Sequence, residues 1–143
     1  MRTIIVEHDY PVAPAALWAI VTDYQALAYV MKGLIAFEGL PQGRAYSGQA
    51  FWVQVSLFGR FAPQPYFMEV LECDEARMLI RSREKGAGVK SWHHRLQVSA
   101  TAHGSRLSDR IEIEAGLLTP LFALWARYLY RARHKPRCAL LGL

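Results

Sequence analysis

Three ionisable residues, His8, His94 and Asp109, fall where the alternation of apolar residues predicts an inward-facing side chain. An isolated ionised carboxylate is costly inside a protein, so Asp109 requires a partner or a raised pKa. Imidazole suits that need. Held by a carboxylate, it can move a proton near neutral pH or orient a polar group of a ligand. The alternative is a satisfied core pair with no chemical role. His94 follows Trp92 by two residues on the same predicted face. That places a polar handle beside an aromatic wall, as ligand pockets commonly do, or a histidine bonded to backbone at a strand end.

Two elements near the C-terminus must position these groups. From Lys90 to Ala115 the apolar residues alternate, as in a hairpin; from Thr119 to Lys135 they recur every three or four, as in a helix. With His103-Gly104 as turn centre and Ala102 paired with Ser105, Trp92 faces Ala115, His94 faces Ile113, Leu96 faces Ile111 and Val98 faces Asp109. The outer face then sets Arg95 against Glu112 and His93 against Glu114. Thr119 is the expected N-cap and Pro120 the first-turn proline. Leu121, Leu124, Trp125, Tyr128, Leu129 and Ala132 form the expected apolar stripe, with Tyr130 off its centre. Pro136 should end or kink the helix after Lys135. Arg137 to Leu141 can continue as a second piece.

Upstream, residues 3–10 alternate as a strand, Pro14 opens a helix that runs to Val21, and Asp23 caps a second short helix ending near Gly33. Strands follow at Leu34–Glu38, 49–58, Tyr66–Cys73 and Met78–Glu84. In the second of these Phe51, Val53, Val55 and Leu57 share a face. Glu72 and Arg81 form an expected surface ion pair. Gly86-Ala87-Gly88 has no helix start behind it and reads as a hairpin loop, not a phosphate loop.

The 143 residues suit one domain, and about half are hydrophobic, enough for a proper core. Cys73 and Cys138 are far apart, which argues against a disulfide framework or a metal site; no cofactor motif occurs. The charged N-terminus reads as a strand and not a signal peptide, and no apolar run approaches the ~20 residues of a membrane span. A soluble, cytoplasmic protein is expected. The net charge is +5, and Arg127, Arg131, Arg133, Lys135 and Arg137 account for all of the excess. This basic helix could meet an anionic membrane or an acidic partner. No basic, aromatic-interleaved strand supports nucleic-acid binding. No feature specifies an oligomeric state.

The order strand, two short helices, about six antiparallel strands and a long C-terminal helix resembles the helix-grip fold of the START/Bet v1-like (SRPBCC, polyketide cyclase/dehydrase-like) superfamily. The likeness rests on Pro14-Ala-Ala-Leu-Trp18 with Thr22-Asp23-Tyr24, on Val70-Leu-Glu72 before Arg77-Met-Leu-Ile-Arg81, on Trp92-His-His94, and on Arg106-Leu-Ser-Asp109 ahead of the last helix. It implies an α+β fold in which a curved antiparallel sheet wraps the long helix, in one domain spanning 1–143. It also implies a cavity between sheet and helix, and a first strand antiparallel to the last. That adjacency makes a His8–Asp109 pair the expected one.

The expected cavity lining is Val53 and Val55 from one strand, Trp92, His94 and Leu96 from the next-to-last, and Asp109 and Ile111 from the last. Leu121, Leu124, Trp125 and Tyr128 complete it from the helix. Members of the superfamily hold sterols, lipids, hormones, quinones or polyketide intermediates, and a few are enzymes. Binding or carriage of a small hydrophobic molecule is the leading expectation. The second is a cyclase or dehydratase, for which His94, His8 and Asp109 are the candidate catalytic residues. The third is docking through the basic helix. The ligating His and carboxylate sets of the iron oxygenases that share the fold are not found, so no metal is expected.

Overall fold

The computed structural model describes residues 1–143. Seven antiparallel strands form one sheet in the order β1-β7-β6-β5-β4-β3-β2. They are β1 (Arg2–Tyr10), β2 (Ile35–Glu38), β3 (Ala50–Leu57), β4 (Gln64–Asp74), β5 (Leu79–Gly86), β6 (Val89–Thr101) and β7 (Gly104–Glu114). Helices α1 (Pro14–Val21) and α2 (Tyr24–Val30) follow β1. A 3-10 turn (Gly116–Leu118), α3 (Thr119–Ala132) and α4 (His134–Leu140) end the chain. Asp23 caps α2 as expected, its carboxylate accepting from the Gln25 N–H at 2.8 Å. This is the helix-grip architecture.

The β6–β7 hairpin keeps its predicted faces, but its register moves by two residues. Thr101 pairs with Gly104, so Trp92 faces Ile113, His94 faces Ile111 and Leu96 faces Asp109. A shift of two preserves every face, which is why the alternation could not detect it. On the outer face Arg95 now opposes Arg110, and His93 opposes Glu112. Gly104 explains the choice. It has φ +155°, and a Cβ there would sit 2.2 Å from the Tyr10 carbonyl oxygen. The glycine is needed where the hairpin end passes under the end of β1, not at the centre of the turn.

The C-terminal helix departs from its predicted pattern in three ways. Thr119 is the first helical residue and not an N-cap; its hydroxyl accepts from the Ala115 N–H and donates to the Gly116 carbonyl. The break comes at Arg133, three residues before Pro136. A proline ring strikes the carbonyl four residues back, here that of Ala132, so the chain turns before the proline is reached. The third departure is rotational. Ala123, Ala126, Leu129 and Tyr130 are buried, while Leu124 and Tyr128 lie on the outer face, Leu124 at 67% exposure, and Leu121 is exposed at the start of the helix. Two alanines face the sheet because α3 crosses close over β1 and β7, where large side chains have no room.

Two clusters fill the space inside the sheet. One joins Ile4, Val6, Trp92, Ile111 and Ile113 to Ala126 and Leu129 of α3. The other joins Tyr10, Leu17 and Trp18 to Val70, Leu96 and Leu107. Between the sheet and α2–α3 a cavity remains.

Candidate functional site

The cavity measures about 760 Å³, and 27 of its 36 lining residues are hydrophobic. That size suits a drug-sized ligand. Its floor is the concave face of β3–β6, and its walls come from α2 and α3. Leu57, Phe61 and Leu121 line it and are also exposed, which locates its mouth. The mouth lies between the first turns of α3, the β3–β4 loop and the β5–β6 loop. Phe58 of one loop meets Trp125 edge-on with ring centres 5.8 Å apart. A Cβ on Gly88 of the other would stand 3.0 Å from the Phe122 ring.

A diagonal polar track crosses this apolar floor. Each strand shifts two residues against the next, so Tyr66 (β4), Glu84 (β5), His94 (β6) and Asp109 (β7) follow one another on the concave face. The Tyr66 hydroxyl donates to Glu84 Oε1 at 2.8 Å. His94 Nε2 lies 2.6 Å from Asp109 Oδ1, a short, charge-assisted contact. Asp109 is 3% exposed. Burial pushes its carboxyl up, but the His94 hydrogen bond and charge, with Arg137 and Arg133, hold it below its ordinary value. Glu84 goes the other way: burial raises it, and His94, Tyr66 and Arg133 only partly oppose that.

The helices supply the opposite wall. Tyr130 Oη stands 3.4 Å from His94 Nδ1, and its ring meets the imidazole edge-on. Burial holds the Tyr130 phenol well above the ordinary tyrosine value. The Arg133 guanidinium lies over the Tyr130 ring, 4.0 Å from its centre, and its Nε approaches Met31 Sδ at 3.0 Å. Arg137 is 5% exposed, and its one side-chain hydrogen bond reaches the Tyr10 hydroxyl at 3.4 Å. Asp109 bonded to His94, with Nδ1 turned toward Tyr130, forms an arrangement able to take up a proton at Nδ1.

His8 is not the partner of Asp109. Val6 sits opposite Asp109 and His8 opposite Leu107. His8 instead stacks on His134 with centres 4.4 Å apart, and both Nδ1 atoms lack a hydrogen-bond partner. Burial lowers both imidazoles; His134 and then Arg137 add to this at His8, and Arg137 at His134.

Of the expected lining residues, Val55, Trp92, His94, Leu96, Leu121 and Trp125 border the cavity. Val53 and Ile111 are buried behind it, and Asp109 backs His94 without reaching it. Leu124 and Tyr128 point outward, so their assignment to the lining is corrected. Arg133 and Arg137, taken as part of an outer basic face, line the cavity; only Arg127, Arg131 and Lys135 of that cluster are on the surface. Glu84, Tyr66, Tyr130 and the two arginines were missed. Glu84 and Tyr66 do alternate in phase with inward neighbours, a signal available in the sequence. The arginines carry none, because a helical basic residue is ordinarily solvated. No cluster of three His, Cys, Asp or Glu side chains suited to a metal is present.

No protein-family model matches the chain, and no curated protein matches it in sequence. Solved structures do match in shape. Ara h 8.0201 superposes with a TM-score of 0.73 at 14% identity, covering 99% of each chain. A START superfamily protein from Mycobacterium smegmatis gives 0.68 at 14%, covering 94% of this chain and 92% of that one. Norcoclaurine synthase from Thalictrum flavum, solved with dopamine and hydroxybenzaldehyde, gives 0.70 at 14%, covering 98% and 86%. The likeness is one of fold: the chain has the helix-grip fold of START and Bet v1-like proteins.

Proposed function

We propose that the chain binds and carries a small hydrophobic molecule, of the lipid, polyketide or quinone kind, between its sheet and α3. The mostly apolar cavity of about 760 Å³, open at one end, supports this reading above all else. A folded chain ordinarily closes such space, because unfilled apolar volume costs packing energy. The neighbour solved with dopamine and hydroxybenzaldehyde is in keeping with small ligands on this fold. The test is uptake of the neutral dye 1-aminoanthracene, with native mass spectrometry of the purified chain. One dye per chain is expected, and Val55→Trp, which fills the cavity wall, should remove it. A dye that stays in water with the wild-type chain ends this reading.

A second reading, an enzyme of the cyclase or dehydratase kind, is favoured by one observation: Asp109 fixes His94 with its Nδ1 toward Tyr130. His94 is then the proton acceptor and Asp109 its positioning residue. Loss of the imidazole should lower turnover about a hundredfold or more on any substrate found. A carrier would keep its ligand affinity under the same change.

Docking to a membrane surface belongs with the carrier reading. Exposed leucines of α3 beside the cavity mouth lie next to Arg127 and Arg131. The occupant proposed for that face is an anionic bilayer surface.

A further inference from the structure

Arg137 is nine-tenths buried and has no carboxylate within ion-pair distance, nor has Arg133 four residues before it. Arginine is rarely buried unless an anion accompanies it. Both guanidiniums border the cavity, on one face across the bend between α3 and α4. The two carboxyls nearby do not serve them. Asp109 is engaged by His94 at 2.6 Å, and Glu84 by the Tyr66 hydroxyl at 2.8 Å. Glu84 is also biased by burial toward its neutral, protonated form. The Arg137 Nε atom has no hydrogen-bond partner, and Arg133 Nε has only a thioether sulfur. The inner end of the cavity therefore holds two guanidiniums that neither nearby carboxyl pairs with.

We infer that the ligand of this cavity is an amphipathic carboxylic acid, its apolar body along the β3–β6 floor and its carboxylate between Arg133 and Arg137. The inference rests on the carrier reading and names the ligand class. A carboxylate matches the guanidinium fork and can accept two parallel N–H bonds from it. A monoanion also loses less hydration on entry than a dianion such as a phosphate monoester. The Tyr130 hydroxyl, with only a 3.4 Å contact to His94 Nδ1, borders the same cavity.

The experiment is displacement of 1-aminoanthracene from the intact chain by decanoate and by 1-decanol, which share a tail and differ in the head. Decanoate is expected to act at about ten- to a hundredfold lower concentration, the worth of one or two charge-assisted hydrogen bonds in a desolvated site. Arg137→Gln should narrow that gap. Arg133→Gln, less enclosed and so less exposed to a folding defect, should narrow it as well. Equal potency of acid and alcohol on the wild-type chain overturns the acid assignment and leaves the carrier reading standing. Failure of the dye to bind at all overturns both.

Discussion

His94 and Asp109 hold each other in place, and each is a liability without the other. Replacing His94 by leucine strands an ionised carboxylate in the interior, which costs roughly 3–5 kcal/mol. The double variant His94→Leu, Asp109→Leu removes both polar partners together, so urea melts should show it to be more stable than the single variant. Equal or additive losses would mean that Asp109 finds another partner. Glu84 makes the opposite prediction. Its carboxyl is raised in the folded chain, so the native state keeps a proton that the unfolded chain releases above about pH 4.5. Its contribution to stability therefore falls as pH rises from there through the raised value. Glu84→Gln keeps an acceptor for the Tyr66 hydroxyl and has no charge to bury. The variant should match wild type at pH 4 and exceed it at pH 7.5 in paired urea melts. A difference independent of pH would show that Glu84 stays ionised. Neither pairing could be read from the sequence. Alternation puts His8, His94 and Asp109 on one face, but a partner is chosen by diagonal neighbours, and those depend on a register that period two leaves free.

Among the elements, the hairpin and the last helix show what patterning can and cannot carry. The starts of the two short helices followed from Pro14 and Asp23, each with a local cause. The hairpin register did not, because Gly104 answers to Tyr10, ninety-four positions away in the chain. Gly104→Ala should thus cost more than a turn glycine ordinarily does, roughly 1–3 kcal/mol. Gly43→Ala has a positive φ but nothing within 4 Å of the added carbon; it should cost less in the same thermal melts. Equal costs would mean that the β1 end moves aside. The helix stripe was misplaced for a related reason. α3 is apolar on two sides, and the pattern favours the side with larger residues. The sheet selects the side that fits, where Ala123 and Ala126 permit close approach.

For the molecule as a whole, the side of α3 that the sheet rejects has a consequence. Leu121 and Leu124 are more than half exposed, and Leu117 on the preceding turn is 99% exposed. Leu121 and Phe61 line the mouth of the cavity, and Leu117 and Leu124 lie exposed on the same stretch of chain beside it. No Asp or Glu occurs from Ala115 to Leu143, whereas Arg127, Arg131 and Lys135 are exposed there. Two copies joined on this face would set like charges together, which disfavours a homodimer. An anionic bilayer offers both what the leucines need and what the arginines attract. No helix is long and apolar enough to cross a membrane, so the contact would be peripheral, with the mouth turned toward the lipid. The chain should sediment with vesicles containing phosphatidylserine at low ionic strength and release as salt is raised, because the Debye length falls to about 8 Å near 0.15 M. Leu121→Asp with Leu124→Asp should abolish the association without touching the inner end of the cavity. Binding to neutral phosphatidylcholine vesicles with equal strength would remove the arginines from the account. Self-association relieved by the same two substitutions would assign the face to a second copy of the chain.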